Sequence, residues 1–392
     1  MVWKLGWTSM LTDISTEMVK SMLPLYLVLH LHLNPLQYGA IDGTYNGIAV
    51  ALLSLAAGVA ADRTRRYKEM AAAGYGLSAL CKLLLMAAGG AWGAILAVAA
   101  MDRLGKGIRT APRDALISLH SSGRSLAGAF ALHRALDAGG ALLGPVLGFL
   151  LISRLPGAFD AVWVASFVFA LLGWAVIWLF VHNPSYAYRR PTTPPVRLVM
   201  ARLMAGGFRR LTAAGVLLSL ATVGDGFLYL LLQQRGSLDG TSLPLFYVMA
   251  AGGTMLFSVP VGRIADRWGR RRVLLAGYGV MGAIYLALFS ASRLSLPGQA
   301  TCLLLLGFYG AATDGVLAAL ASSAIPSELR TTGLATLATV VGLGKFLSAL
   351  AFGWLWQARG AQTALAGFAA ALAAAILVSA LLLRENPDGP AR

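Results

Sequence analysis

Six charged side chains crowd into thirteen residues of an otherwise apolar run: Asp102, Arg103, Lys106, Arg109, Arg113 and Asp114. Residues 91–100 just upstream are almost wholly apolar, so the run begins as a hydrophobic helix. At 3.6 residues per turn Asp102, Lys106, Arg109 and Arg113 share one face, and Arg103 and Asp114 lie on the next. A charge held at mid-membrane against lipid costs roughly 2.5–3.5 kcal/mol even on the lenient insertion scale. The helix must therefore line something wet or meet acids supplied from elsewhere. Acids stand ready in the first apolar run, where Asp13, Glu17 and Lys20 follow at i, i+4 and i+7 along one stripe. Burial favours the neutral form of a carboxylate and a nearby cation favours the ionised form. Glu17 or Asp13 is thus either part of a structural ion cluster or a proton carrier that gains and loses a basic partner. Arginine stays charged under any condition, so Arg103 either contacts an anionic solute or pairs structurally.

Further along, His133, Arg134 and Asp137 share one helical run, and a self-satisfied Arg134–Asp137 pair is the simplest reading. Arg113 and Asp114 read as gate or packing charges near the cytoplasmic mouth. Asp225, Asp314 and Lys345 are each alone in an apolar run, so each needs a partner from another helix. Asp42 and Lys82 are similarly isolated, and Lys82 has a stem long enough to snorkel. No Gly-x-x-x-x-Gly-Lys-Ser/Thr loop is present, so ATP is not the expected driver. Cys81 and Cys302 lie inside apolar runs without metal spacing, and no Ser/His, paired-Asp or metal constellation points to catalysis. No cofactor or metal is expected, and no enzyme.

These residues need membrane-spanning elements to position them. Of 392 residues 58% are hydrophobic and 12% charged, with mean hydropathy +0.71, against about 25% charged in soluble domains. Runs long enough to cross about 30 Å of hydrocarbon fall near residues 5–30, 37–60, 69–88, 92–115, 125–152, 160–182, 209–233, 243–264, 272–291, 298–323, 331–356 and 361–383. The one long break, 183–208, divides them six and six: residues 1–182, a linker, and 209–392. The net charge of +16 sits in the connections, where topogenic and lipid-facing roles explain it without nucleic acid. Connections 61–68, 183–210 and 262–272 hold fifteen basic residues, and all six on the other side hold four. The positive-inside rule puts both termini and the linker in the cytoplasm, with the chain in the inner (plasma) membrane.

The halves also repeat. Gly58-x-x-x-Asp62-Arg63-x-Arg65-Arg66 follows the second span and Gly262-x-x-x-Asp266-Arg267-x-Gly269-Arg270-Arg271 follows the eighth, 204 residues later. This pattern resembles the loop signature of the major facilitator superfamily. Arg103 followed by Gly107 resembles its span-four motif, and Gly140-x-x-x-Gly144-Pro145-x-x-Gly148 resembles a span-five motif associated with antiporters. Arg65 replaces the loop glycine in the first half, and Arg109 stands where a small residue is usual, making span four more cationic. The resemblance implies an all-α fold of twelve transmembrane helices in two six-helix bundles related by a pseudo-two-fold. It implies a cavity lined by spans one, four, seven and ten, carrying Asp13, Glu17, Arg103, Lys106, Arg109, Asp225 and Asp314. Arg134, Asp137 and Lys345 are further candidate contacts. Gly58, Asp62, Arg63, Arg113, Gly144, Pro145, Gly262, Asp266 and Arg267 are expected to serve gating. The expected function is transport of a small anionic or zwitterionic solute by alternating access, as a monomer in the bilayer, exporting it against protons. A proton symporter importing an anionic nutrient or metal chelate is the rival.

Overall fold

A computed structural model describes residues 1–47, 50–121, 126–183, 207–325 and 329–384, so the expected linker lies almost wholly outside the described residues. Among them every regular element is helical. The elements are α1 (Val2–Pro24), α2 (Pro35–Gly47), α3 (Val50–Thr64), α4 (Tyr67–Ala87), α5 (Trp92–Leu119), α6 (Leu126–Arg154), α7 (Phe159–Phe180), α8 (Gly207–Leu220), α9 (Asp225–Arg235), α10 (Leu243–Trp268), α11 (Arg270–Ser290), α12 (Leu296–Ala324), α13 (Arg330–Arg359) and α14 (Ala361–Leu382). Each of the twelve expected spans has its helical counterpart, the second in α2 and α3 and the seventh in α8 and α9. Nine helical stretches among the described residues are long and apolar enough to cross a membrane on composition alone. The other three positions are α1 and α5, which carry the charges discussed above, and the short pair α2 and α3.

Two departures from straight helix were not expected. After Pro24, Leu25–His30 winds as a π-helix; proline lacks the N–H that would continue the regular ladder. Span seven breaks at residues 221–224. The Thr222 hydroxyl bonds back to the Leu218 carbonyl at 2.7 Å, the kind of side-chain competition that loosens a helix. The freed backbone is met from other helices: the Val223 N–H donates to the Tyr285 oxygen at 2.7 Å, and the Ser348 hydroxyl donates to the Thr222 carbonyl at 2.5 Å. Irregular backbone at membrane depth is tolerated where neighbours satisfy it in this way.

Internal contacts divide the chain into two units. The first holds residues 1–33, 48–191 and 240–248; the second holds 34–47, 192–239 and 249–392. Span two is therefore shared, α2 belonging to the second unit and α3 to the first. In the first unit α1 packs on α6 and α7. A Cβ added at Gly140 would lie 2.5 Å from the Met10 carbonyl, and one at Gly144 2.6 Å from that of Ile14. Only glycine lets the two backbones approach so closely. The Ser15 and Ser166 hydroxyls join at 2.8 Å across the other side of α1. In the second unit α2 lies on α13 in the same manner, with added Cβ atoms at Gly39 and Gly47 falling 2.5 Å from the carbonyls of Ala349 and Gly342.

Both signature loops place one residue at positive φ. Gly269 has φ +96° and its counterpart Arg65 has φ +57°, so the first loop keeps a residue at positive φ despite losing the glycine. For a residue with a Cβ that conformation costs roughly 1–2 kcal/mol. Arg65→Gly is expected to raise thermal stability in detergent by up to about 1 kcal/mol, and Gly269→Val to lower it by a similar amount. Equal melting curves for all three proteins would show that neither turn constrains the fold.

Candidate transport site

Because α6 and α7 grip α1, its flanks at Thr12, Ile14, Ser15, Thr16, Met18 and Val19 are buried. Asp13, Glu17 and Lys20 form a less buried stripe, each half-buried, with Asp13 lying beside α6 at Gly140. On α5, Lys106 is also half-buried and lies within electrostatic reach of both Asp13 and Glu17. Asp13 in turn feels Lys106, Arg109, Glu17 and Asp137. The acids of span one and the Lys106 ammonium of span four thus act on one another electrostatically.

The other span-four charges are matched elsewhere. Asp102 accepts from Lys82 Nζ at 3.2 Å and from the Arg103 guanidinium at 2.5 Å, and these three side chains are 1%, 1% and 5% exposed. Lys82 therefore does not snorkel; it is a buried partner. Arg109 donates to the Ser78 hydroxyl at 3.0 Å, with its guanidinium 4.7 Å from the Tyr75 ring centre. It faces α4, which approaches α5 at Gly74, where a Cβ would lie 2.6 Å from the Gly105 carbonyl. One face on the helical wheel in fact adjoins two neighbours, α4 for Asp102 and Arg109 and α1 for Lys106. Arg113 binds its chain neighbour Asp114 at 2.9–3.0 Å and donates to the Ser9 hydroxyl of α1 at 3.1 Å.

On α6 the expected Arg134–Asp137 pair gives way to another. Asp137 meets His133 Nδ1 at 3.3 Å and lies in reach of Arg113, while the Arg134 side chain is exposed. The reason is angular: i, i+4 brings two side chains closer around the helix than i, i+3.

The second unit gathers the isolated charges. Lys345 Nζ stands 3.7 Å from Asp314. Both lie within electrostatic reach of Tyr278, which packs edge-on against Tyr309 with ring centres 5.4 Å apart. Asp225 is the exposed first residue of α9 and also reaches Lys345. In the sequence Asp42 is a lone acid. Its carboxylate lies at the start of α9, where Cβ atoms added to Gly224 and Gly226 would fall 2.6 and 2.8 Å from its two oxygens. There the helix dipole favours a negative charge. Nothing local announces this role, because the partner lies more than 180 positions away.

Of the expected gate residues, Gly144 and Pro145 are on α6, Gly144 against α1, and a Cβ on Gly58 would meet Ala111 at 3.1 Å. The Asp62 side chain lies outside the described set, and Arg63 is exposed. Asp266 pairs with Arg270, one turn on, at 3.2 Å, rather than with the exposed Arg267. Gly262, Asp266 and Asp314 line a cavity of about 470 Å³ between α10 and α12.

Removing the acid from the Lys82–Asp102–Arg103 cluster would leave two buried cations uncompensated, a loss of roughly 3–5 kcal/mol. Asp102→Asn is expected to abolish monodisperse protein on gel filtration, whereas Lys106→Met is not. A well-behaved Asp102→Asn protein would contradict the buried-cluster assignment.

The fold and these positions can be set beside known proteins. The Major Facilitator Superfamily model matches residues 5–252 and 211–392. An uncharacterised MFS-type transporter of Methanocaldococcus jannaschii is 30% identical over 389 residues, covering 96% of this chain and 94% of that one. An uncharacterised protein of Mycobacterium bovis is 32% identical over 251 residues, 59% of this chain and 58% of its own. Among solved structures, the nucleoside transporter NupG superposes with TM-score 0.82 at 15% identity, covering 98% of this chain and 99% of that one. A POT family transporter in complex with 5-aminolevulinic acid superposes with TM-score 0.78 at 14% identity, covering 97% and 95%. This multi-pass membrane protein belongs to the major facilitator superfamily of transporters.

Proposed function

We propose that the protein moves a small solute, zwitterionic or anionic, by alternating access, and that a zwitterion is exchanged for protons in the direction of export. One observation carries the reading: the half-buried acids Asp13 and Glu17 lie within reach of the half-buried Lys106, in a unit whose other span-four charges have buried or local partners. A zwitterion matches this set, its carboxylate on Lys106 and its ammonium on Asp13 or Glu17. Its ammonium and a proton then compete for the same carboxylate, and competition is what exchange requires. The POT structure with 5-aminolevulinic acid shares only the fold, but its ligand is of this chemical class.

Lys106 also supports a second reading. A solute that is purely anionic would draw Lys106 off the carboxylates and raise their proton affinity, so solute and proton would bind together. That linkage gives symport and import. The span-five motif at Gly140, Gly144 and Pro145 favours exchange. Residues 1–182 and 209–392 are the bodies proposed to rock, with Arg113, Asp266 and Arg267 at the gates. Asp225, Asp314 and Lys345 supply contacts from the second body. The monomer sits in the inner membrane with both termini cytoplasmic, as the basic connections suggest.

Glu17→Gln in proteoliposomes is expected to abolish gradient-driven transport while labelled-solute exchange continues; driven transport surviving unchanged would remove Glu17 as carrier. With purified protein in weakly buffered solution, a zwitterion such as 5-aminolevulinic acid should release protons on binding. Proton uptake would replace exchange by symport.

A further inference from the structure

A second concave site lies at the end of the second unit, sharing Asp266 and Arg270 with the cavity between α10 and α12 but away from Asp13, Glu17 and Lys106. The end of α10, the start of α11 and the ends of α12 and α14 enclose about 830 Å³, between Ala265 and Leu275 on one side and Leu320 and Arg384 on the other. Five arginines line it against a single carboxylate. Two are engaged: Arg270 with Asp266 and the Ala319 carbonyl, and Arg271 with the Ala380 carbonyl at 2.6 Å. Arg267, Arg272 and Arg384 are exposed and have no partner among the described residues. The first turn of α11 opens at the same place, with Gly269 as an N-cap that has no side chain to close it. Its amide groups and dipole add to the positive field.

Crowding three unpaired guanidinium groups around one hollow is unfavourable unless an anion joins them. Planar guanidinium forks suit the paired oxygens of a phosphate. The lining is not only basic. Leu275 and Leu320 lie in it, and the indole of Trp268 at its edge is 70% exposed. Four helix ends meet there, at the level where spans leave the hydrocarbon, and an exposed tryptophan is at home in that zone. The positive-inside reading puts this level at the cytoplasmic leaflet, where basic pockets between helices hold anionic headgroups.

We propose that this pocket binds a phosphate-bearing anion, the phosphate held by Arg267, Arg272 and Arg384 over the start of α11. Two sources offer that group, an anionic phospholipid or a soluble phosphate, and the test separates them. Purified protein in neutral detergent would be titrated with phosphatidylglycerol, with phosphatidylcholine and with inorganic pyrophosphate, and followed by native mass spectrometry. The variants are Arg267→Gln/Arg272→Gln/Arg384→Gln and an equal charge loss at the other signature loop, Arg63→Gln/Arg65→Gln/Arg66→Gln. The pocket variant should bind phosphatidylglycerol, pyrophosphate or both at least about tenfold more weakly than the parent, the control variant should not, and phosphatidylcholine should bind weakly throughout. Loss for phosphatidylglycerol alone assigns a lipid, and loss for pyrophosphate identifies a soluble anion. Equal loss in both variants, reflecting net charge alone, would overturn the site, as would unchanged binding in the pocket variant. A Lys triple replacement at the three pocket positions should keep part of the affinity, and its failure to do so in a monodisperse protein would also count against it.

Discussion

A charge can enter the hydrocarbon only in company, and α5 brings six charged residues with it. How that demand is met decides the rest of the first unit. Asp102 draws Lys82 of α4 and its own neighbour Arg103 into one buried cluster. Arg109 settles on Ser78 and Tyr75 of the same helix. Arg113 takes Asp114 and reaches Ser9. These contacts bind α4 and α5 side by side and leave Lys106 turned toward α1. The ion pairs contribute little net stability, since desolvation offsets most of the attraction. Their effect is on placement, because a buried charge needs company and its partner fixes which neighbour it faces.

Placement also needs backbone contact. The glycines of α6 at 140 and 144 lie against the carbonyls of Met10 and Ile14, on either side of Asp13 in sequence. In a membrane, where apolar surface drives helices together weakly, such contact is the main adhesive. The acid stripe is therefore presented by a helix held on two sides, and from Thr12 to Pro24 the side chains left half-buried are the charged ones. In the second unit the break at 221–224 gives α9 a fresh N-terminus, which Asp42 occupies. Broken spans whose half-helix ends meet charged groups recur where transporters hold their ligands.

Much of this was legible in the residues. Twelve runs, the duplicated loop and the paired stripes of spans one and four all follow from hydropathy and the helical period. Those signals are local and repeat within each element. What escaped depends on distance or on fine angle. The Lys82–Asp102 pair joins two helices that a sequence presents as separate isolated charges. The choice of His133 over Arg134 for Asp137 turns on a difference of one position around the helix. The break in span seven is carried by Thr222, Tyr285 and Ser348, which are ordinary polar residues until the fold brings them together. Arg65 shows the opposite case: the expected glycine is missing, yet the positive φ persists at about 1–2 kcal/mol of backbone strain.

On the proposed reading, Asp13 and Lys106 border water and change their exposure as the protein works. Single cysteines at these two positions, in a background lacking Cys81 and Cys302, test that directly through a membrane-impermeant thiol reagent. The account predicts that both react, and that imposing a proton gradient shifts the side from which they are reached. Cysteines at both positions that stay unmodified from either side, with and without the gradient, would contradict it.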